Sequence, residues 1–207
     1  MNFLDFLKDN IVIFDGGMGT LLQSRGLAAG EKPEEWNTTH PDVIADIHRA
    51  YYDAGANVVC TNTFGANLIK FSKEELQKIV TDAFSAASEA RRTSVSKKEK
   101  FIALDIGPTG KLLSPLGDLD FDSAVSAFAE TVRLGAELGA DLILIETMSD
   151  SYETRAAIIA AKENSTLPII VTNAYGEDGK LMTGADPEAM TVMNESLGVL
   201  ALGANCS

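Results

Sequence analysis

The chain has 207 residues, of which 45% are hydrophobic and 23% are charged, as in an ordinary globular domain. Its formal net charge of −13 argues against nucleic acid or an anionic membrane as a partner, because both require a basic surface. The longest apolar runs are also far too short to span a bilayer. The two cysteines, Cys60 and Cys206, do not make a disulfide framework, so we expect a reducing, cytoplasmic environment.

Short apolar runs rich in branched residues recur along the chain and are separated by helical patterns. They do not alternate polar and apolar residues, which is typical of parallel strands buried on both faces. The predicted strands are Ile11–Phe14, Asn57–Thr61, Phe101–Leu104, Leu142–Ile145, Ile169–Thr172 and Val199–Leu202.

The segments between the predicted strands carry helix signals. Apolar residues at spacings of three and four predict one helix between Pro41 and Gly55, and another over residues 125–136. Asp150, followed three residues later by Glu153, predicts an N-cap with a capping-box partner. The pair Asp186-Pro187 opens a further helix.

Alternation of strands and helices predicts an α/β fold with a parallel sheet. A doubly wound sheet is one form, but the first turn, Asp15 to Thr20, lacks the G-x-G-x-x-G spacing of a dinucleotide site. We therefore predict a (β/α)8 TIM barrel, which needs eight strands and about 250 residues. With six strands, residues 1–207 would be one barrel domain with about six of eight βα units, truncated after the sixth strand.

Each predicted strand is followed by a short polar or glycine-containing cluster. In a barrel the carboxyl ends of the strands line one mouth, where active sites are built. Turns after strands are rich in such residues for conformational reasons alone, but six of six clusters favour a site. They begin at Asp15, Thr61, Asp105, Glu146, Asn173 and Gly203.

These clusters resemble the motifs of the homocysteine S-methyltransferase family. The matching pieces are D-G-G-M-G-T, T-N-T-F-G, D-I-G-P-T-G, I-E-T-M-S-D and the final G-A-N-C. The resemblance covers essentially the whole chain, and the G-P-T-G turn with the following L-S-P-L-G is most similar to the branch of cobalamin-dependent methionine synthase.

The resemblance implies zinc chemistry on the homocysteine thiol. The family holds zinc by three cysteine thiolates and leaves the fourth position for the substrate sulfur, whose thiolate then attacks a methyl group. Cys206 matches the first ligand. The other two form an adjacent pair that we expect beyond residue 207. Methylcobalamin would be supplied as methyl donor by the cobalamin and folate domains of the same enzyme.

The resemblance also places the amino-acid end of homocysteine. It puts Glu146 on the ammonium group and Asp15, Gly16, Gly17 and Thr61 around the rest of that end; it gives no catalytic residue. Glu146 follows four apolar residues, so we expect it to need a cationic partner, either the ligand or a lysine or arginine of the barrel.

Several alternatives remain open at this point. An S-methylmethionine- or betaine-type enzyme would need no cobalamin, and a non-catalytic homocysteine-binding module would lack the paired cysteines. An unrelated barrel could bind magnesium through Asp15, Asp105 and Glu146. Under the leading hypothesis we expect residues 1–207 alone to be inactive and to self-associate through open strand edges.

Three other residues are interpreted as structural. Cys60 lies within an apolar run and is expected in the core. His40 is expected to cap a helix, and His48, followed by Arg49, is expected on a polar helix face.

Overall fold

A computed structural model describes residues 1–207 as an α/β fold built on one parallel sheet. Each strand pairs only with its neighbours in the sequence, in the order β1-β2-β3-β4-β5. The strands are β1 (Val58–Cys60), β2 (Phe101–Ile106), β3 (Leu142–Met148), β4 (Ile169–Asn173) and β5 (Ala201–Ala204).

The predicted strand at Ile11–Phe14 was wrong in extent, since only Phe14 forms a bridge, parallel to Val58. The backbone N–H of Val58 donates to the Ile13 carbonyl, and the Asp15 N–H donates to the Val58 carbonyl. The ladder stops there because the Asn57 side-chain oxygen takes the Ile13 N–H at 3.2 Å, in place of a backbone carbonyl. The sheet therefore has five strands and not the predicted six, with the Phe14 segment bridged in parallel to its edge.

Eight helices surround the sheet, and all except α1, which precedes the Phe14 segment, lie between successive parallel segments. They are α1 (Phe3–Asp9), α2 (Met18–Ser24), α3 (Trp36–Thr39), α4 (Pro41–Ala54), α5 (Lys73–Thr93), α6 (Phe121–Glu137), α7 (Ser151–Asn164) and α8 (Pro187–Ser196), with a 3-10 turn at Pro33–Glu35. Helix α4 ends at Gly55, whose φ of 112° is readily adopted only by glycine. No helix in the structure combines the length and the apolar composition that a membrane crossing would need.

The capping-box prediction at the start of α7 was wrong. Asp150 does cap the helix, but its side chain accepts the N–H of Tyr152. Glu153 turns away from the cap and accepts the backbone N–H and the hydroxyl of Thr109, at 2.7 and 2.5 Å. The carboxylate thus satisfies two donors of the loop after β2, which the local sequence pattern does not indicate.

The two faces of the sheet have different environments. One face packs against α5, α6 and α7 in the largest hydrophobic cluster, which includes Ile102, Leu104 and Ile143. The other face carries Val58, Phe101 and Leu144 and is covered at its amino-terminal end by Phe3 and Phe6 of α1. Toward the carboxyl ends of the strands, this second face borders a cavity to which the start of α2 and the 3-10 turn also contribute.

Sequential strand order separates this sheet from a doubly wound one, in which the order reverses at a switch point. The same order occurs around a (β/α)8 barrel. The sheet is open, with β5 at one edge and the Phe14 segment at the other.

Candidate functional site

A cavity of about 600 Å³ lies at the carboxyl ends of the strands. It is on the same face of the sheet that α1 covers at the amino-terminal end. The cluster after β4 does not reach the cavity, because the Asn173 amide donates to the Met148 carbonyl instead. The residues that the family resemblance assigns to the site do line the walls of the cavity. They are Asp15, Gly16, Gly17, Thr61, Glu146 and Cys206. They come from the ends of four different parallel elements, as in sites built on α/β sheets.

The turn after the Phe14 segment is fixed by neighbouring backbone and by Tyr51 of α4. Asp15 Oδ2 accepts the backbone N–H of Cys60 at 2.9 Å. The Tyr51 hydroxyl donates to the Gly17 carbonyl at 3.3 Å, and a Cβ on Gly16 would lie 3.0 Å from that hydroxyl. Glycine at position 16 therefore permits the close approach of the turn to α4.

Thr61 is buried, and its hydroxyl is already used by the fold. The hydroxyl donates to the Ala103 carbonyl at 3.2 Å, accepts the Asp105 N–H at 3.2 Å and lies 2.7 Å from the Thr63 hydroxyl. The side chain therefore holds β1 against β2 at the cavity wall.

Four carboxyl groups line the cavity, those of Glu34, Asp15, Asp105 and Glu146. Glu34 accepts the Gly65 N–H at 2.6 Å, and the other three face the cavity without a protein cation. None of them belongs to any of the eight ion pairs in the structure. The only side-chain donor to Glu146 is the Asn205 amide, 3.3 Å from Oε2. Asp105 is 6% exposed, and its Oδ1 has no hydrogen-bond partner. The lysine or arginine considered for Glu146 is absent.

Burial raises the pKa of the three carboxyl groups that face the cavity. It raises the pKa of Asp15 to about 7, with a smaller contribution from the charge of Glu146. The pKa of Asp105 is raised well above its usual range by burial first and by the charges of Glu146 and Asp15 second. Burial likewise raises the pKa of Glu146. Carboxyl groups that are crowded together in this way resist full ionisation.

The rim of the cavity is formed where β3 and β5 end. Thr147 and Cys206 both have positive φ, 58° and 51°, which is uncommon for residues other than glycine. The Asn205 side chain accepts the Thr147 N–H at 3.1 Å and donates to the Thr147 hydroxyl at 2.8 Å. That hydroxyl donates to Cys206 Sγ at 3.8 Å, so Asn205 connects the exposed thiol with Glu146.

A single thiol stands at this rim. No group of three or more histidine, cysteine, aspartate or glutamate side chains is arranged to hold a metal ion. The exposed Cys206 Sγ, held on a strained backbone, fits one position of a thiolate site. It supplies one ligand and not a complete set.

Two sequence interpretations change with the structure. Cys60 packs with the inner cluster, but it also lines the cavity beside Asp15. Its place on that face follows from strand alternation with Val58, two residues earlier. His48 lies fully buried on α4 and not on a polar face, because it shares the apolar stripe of Ile44 and Tyr52.

Phe64 of the loop after β1 is a lining residue that the sequence analysis did not single out. Its ring packs on Gly107, where a Cβ would come within 2.4 Å of it. Gly107 of the D-I-G-P turn is the only sequence feature that indicates this contact. Its role cannot be recognised without knowing that the ring of Phe64, 43 residues earlier, packs on it.

A sequence model of the homocysteine S-methyltransferase family matches residues 12–207. The chain belongs to the homocysteine S-methyltransferase family. Methionine synthase of Mycobacterium tuberculosis (strain ATCC 25618 / H37Rv) is 29% identical over 222 residues, and that of Mycobacterium leprae (strain TN) is 30% identical over 224 residues. In both comparisons the alignment covers 100% of this chain but only 18% of the longer relative.

Solved structures of a homocysteine methyltransferase have the same fold as this chain. The metallated form of the Escherichia coli homocysteine methyltransferase MmuM superimposes with a TM-score of 0.85 at 19% identity, covering 98% of this chain and 77% of that chain. Its oxidised form gives a TM-score of 0.87 at 20% identity, covering 100% and 77%.

Proposed function

We propose that residues 1–207 form the homocysteine-binding part of a homocysteine S-methyltransferase of the methionine synthase type, which makes the homocysteine thiolate available for methyl transfer. The observation that carries this proposal is a cavity lined by four carboxyl groups and no protein cation, with one exposed thiol at its rim. An amino acid with a sulfur-bearing side chain is complementary to both features.

The ammonium group would lie at the carboxyl groups. A half-buried carboxylate without a cation is costly, and an incoming ammonium group offsets that cost. Glu146 is held toward the cavity by Asn205, and Asp15 is held by the Cys60 N–H. These two side chains would orient the amino-acid end and direct the side chain of the ligand toward the rim.

The sulfur would lie near Cys206, which fits a zinc ligand. Zinc bound there would lower the pKa of the substrate thiol and so supply a thiolate at neutral pH. Asn205 and Thr147 would hold Cys206 Sγ in place. The two further thiolates would come from residues outside 1–207, and the domain would complete a (β/α)8 barrel with them. On its own, this part would bind homocysteine without turning it over.

The methyl donor in this proposal is methylcobalamin, presented by cobalamin and folate domains of a longer polypeptide. The support is the similarity to two methionine synthases, of which this chain spans 18%. The net charge of −13 agrees with a small-molecule substrate, and the two free cysteines agree with a cytoplasmic enzyme.

Calorimetric titration of L-homocysteine into the protein tests the proposal. We expect saturable binding, and we expect Glu146→Gln to weaken it by about 10- to 100-fold, since it removes a charge-assisted contact to the ammonium group. Glu137→Gln, on the exposed end of α6, is the matched control and should bind like the parent protein. Equal affinity for the parent and Glu146→Gln would contradict the proposal.

A further inference from the structure

Asp105 is the carboxyl group of the cavity that the fold leaves least satisfied. It lies on β2, is 6% exposed, and lines the cavity, yet its Oδ1 accepts no hydrogen bond. By contrast, Asp15 accepts a backbone N–H at 2.9 Å and Glu146 accepts the Asn205 amide at 3.3 Å. A buried carboxylate oxygen without a donor is costly unless it is protonated or meets a ligand.

The groups that face Asp105 make an isolated negative charge there still more costly. They are Glu146 of β3, Asp15 of the first turn, Glu34 of the 3-10 turn and Cys60 of β1, and none of them is a cation. Glu146 has the largest electrostatic effect on Asp105 of these neighbours. Two neighbouring carboxyl groups in a low-dielectric site ionise one after the other, so that they retain one proton between them over a wide pH range.

We propose that Asp105 and Glu146 share one proton in the ligand-free site, and that the ammonium group of the amino-acid ligand displaces this proton to solvent. This inference rests on the proposed function and extends it, because it makes Asp105 a ligand-facing residue and couples binding to proton release. No covalent bond changes: one proton leaves the carboxyl pair for water, and one ammonium cation takes its place between two carboxylates.

The sign of the pH dependence follows from this exchange. At a pH at which the free pair holds a proton, the ligand must expel it, so affinity falls as the pH is lowered. We expect affinity for L-homocysteine to change by up to about tenfold per pH unit on the acid side and to level off where the free pair is fully ionised.

Calorimetry at pH 7 in two buffers with different ionisation enthalpies measures the protons released. The titrant is L-homocysteine with a metal chelator present, so that its thiol stays protonated. We expect proton release on binding by the parent protein, of up to one proton per ligand. Asp105→Asn should retain binding within about tenfold and release far fewer protons, because the amide cannot hold the shared proton.

Asp15→Asn identifies the source of the proton. Because the pKa of Asp15 is itself raised to about 7, this variant should lose part of the proton release per bound ligand, but less of it than Asp105→Asn. Unchanged release in Asp105→Asn, or its loss only in Asp15→Asn, would overturn the inference while leaving homocysteine binding established. Absence of binding to the parent protein would overturn the proposed function as well.

A measurement on the parent protein alone covers the case in which Asp105→Asn does not fold. Affinity for L-homocysteine that stays constant from pH 5 to pH 7 would contradict proton displacement, whereas a rise with pH over that range would support it.

Discussion

His48 is the most unusual single residue outside the cavity. Its ring is fully buried on α4, and neither ring nitrogen has a hydrogen-bond partner. Burial lowers the pKa of His48 to about 4, from an ordinary value of about 6.5. Between these values the unfolded chain binds a proton that the folded protein excludes, so the free energy of unfolding falls as the pH drops through this window, by on the order of 3 kcal/mol.

We expect His48→Leu to raise the free energy of unfolding by about 1–3 kcal/mol at pH 7, because it removes two unsatisfied polar atoms without leaving a cavity. The loss of stability between pH 6.5 and pH 5 should also become smaller than in the parent protein. Urea titrations at the two pH values measure both effects. His40→Leu, at an exposed histidine, is the control; a pH slope that is the same in His48→Leu and in the parent would contradict the prediction.

At the residue scale the sequence predicted which side chains would meet, but not which ion pairs and hydrogen bonds they would make or lack. Asp15, Glu146 and Cys206 could be placed at one mouth because they follow parallel strands. The missing cation beside Glu146, the unpartnered oxygen of Asp105 and the Asn205 contacts depend on distances between elements. No local pattern encodes those distances.

At the element scale, close packing between α6 and β2 depends on one glycine. A Cβ on Gly135 would lie 2.6 to 3.0 Å from the side-chain carbons of Leu104, which is fully buried. Glycine lowers helix propensity by about 1 kcal/mol relative to alanine, but overpacking a core costs about 1–3 kcal/mol. The packing effect should therefore outweigh the propensity effect.

We expect Gly135→Ala to lower the free energy of unfolding by about 1–2 kcal/mol, despite the better helix former. Gly19→Ala in α2 is the matched control, since a Cβ there meets no atom within 4 Å, and it should be neutral or slightly stabilising. Urea unfolding of both variants measures the difference. A stabilised Gly135→Ala would show that Leu104 and its neighbours can rearrange.

The sequence pattern placed the carboxyl ends of β2 and β3 too early, and the reason is functional. β2 runs on to Ile106 and β3 to Met148, beyond the predicted ends at Leu104 and Ile145. The added residues include Asp105 and Glu146, whose polar character looks like a turn when read locally. These polar residues lie within strands because their side chains face the cavity. The residue types that the site requires therefore weaken the apolar pattern by which a strand is recognised in the sequence.

At the scale of the whole molecule, the alternation of strands and helices predicted the parallel sheet and its sequential order. The pattern does not specify which apolar side chains are left exposed at the two edges of that sheet. All residues of β5 are exposed, with Leu202 at 41%, and at the opposite edge Ile13 is 48% and Ile11 90% exposed. Open apolar edges of this kind favour pairing with another chain.

We therefore expect residues 1–207 to self-associate as concentration rises, and Leu202→Lys to shift the equilibrium toward monomer, because a charge at an edge strand opposes pairing. Val95→Lys, at a residue 75% exposed in the loop after α5, is the matched control and should leave association unchanged. Sedimentation velocity over a wide concentration range measures the effect; a monomer at every concentration would contradict it.

Because the chain carries a net charge of −13, repulsion between copies opposes contact at low ionic strength. Added salt should therefore increase association through the apolar edges, whereas an association based on ion pairs would weaken.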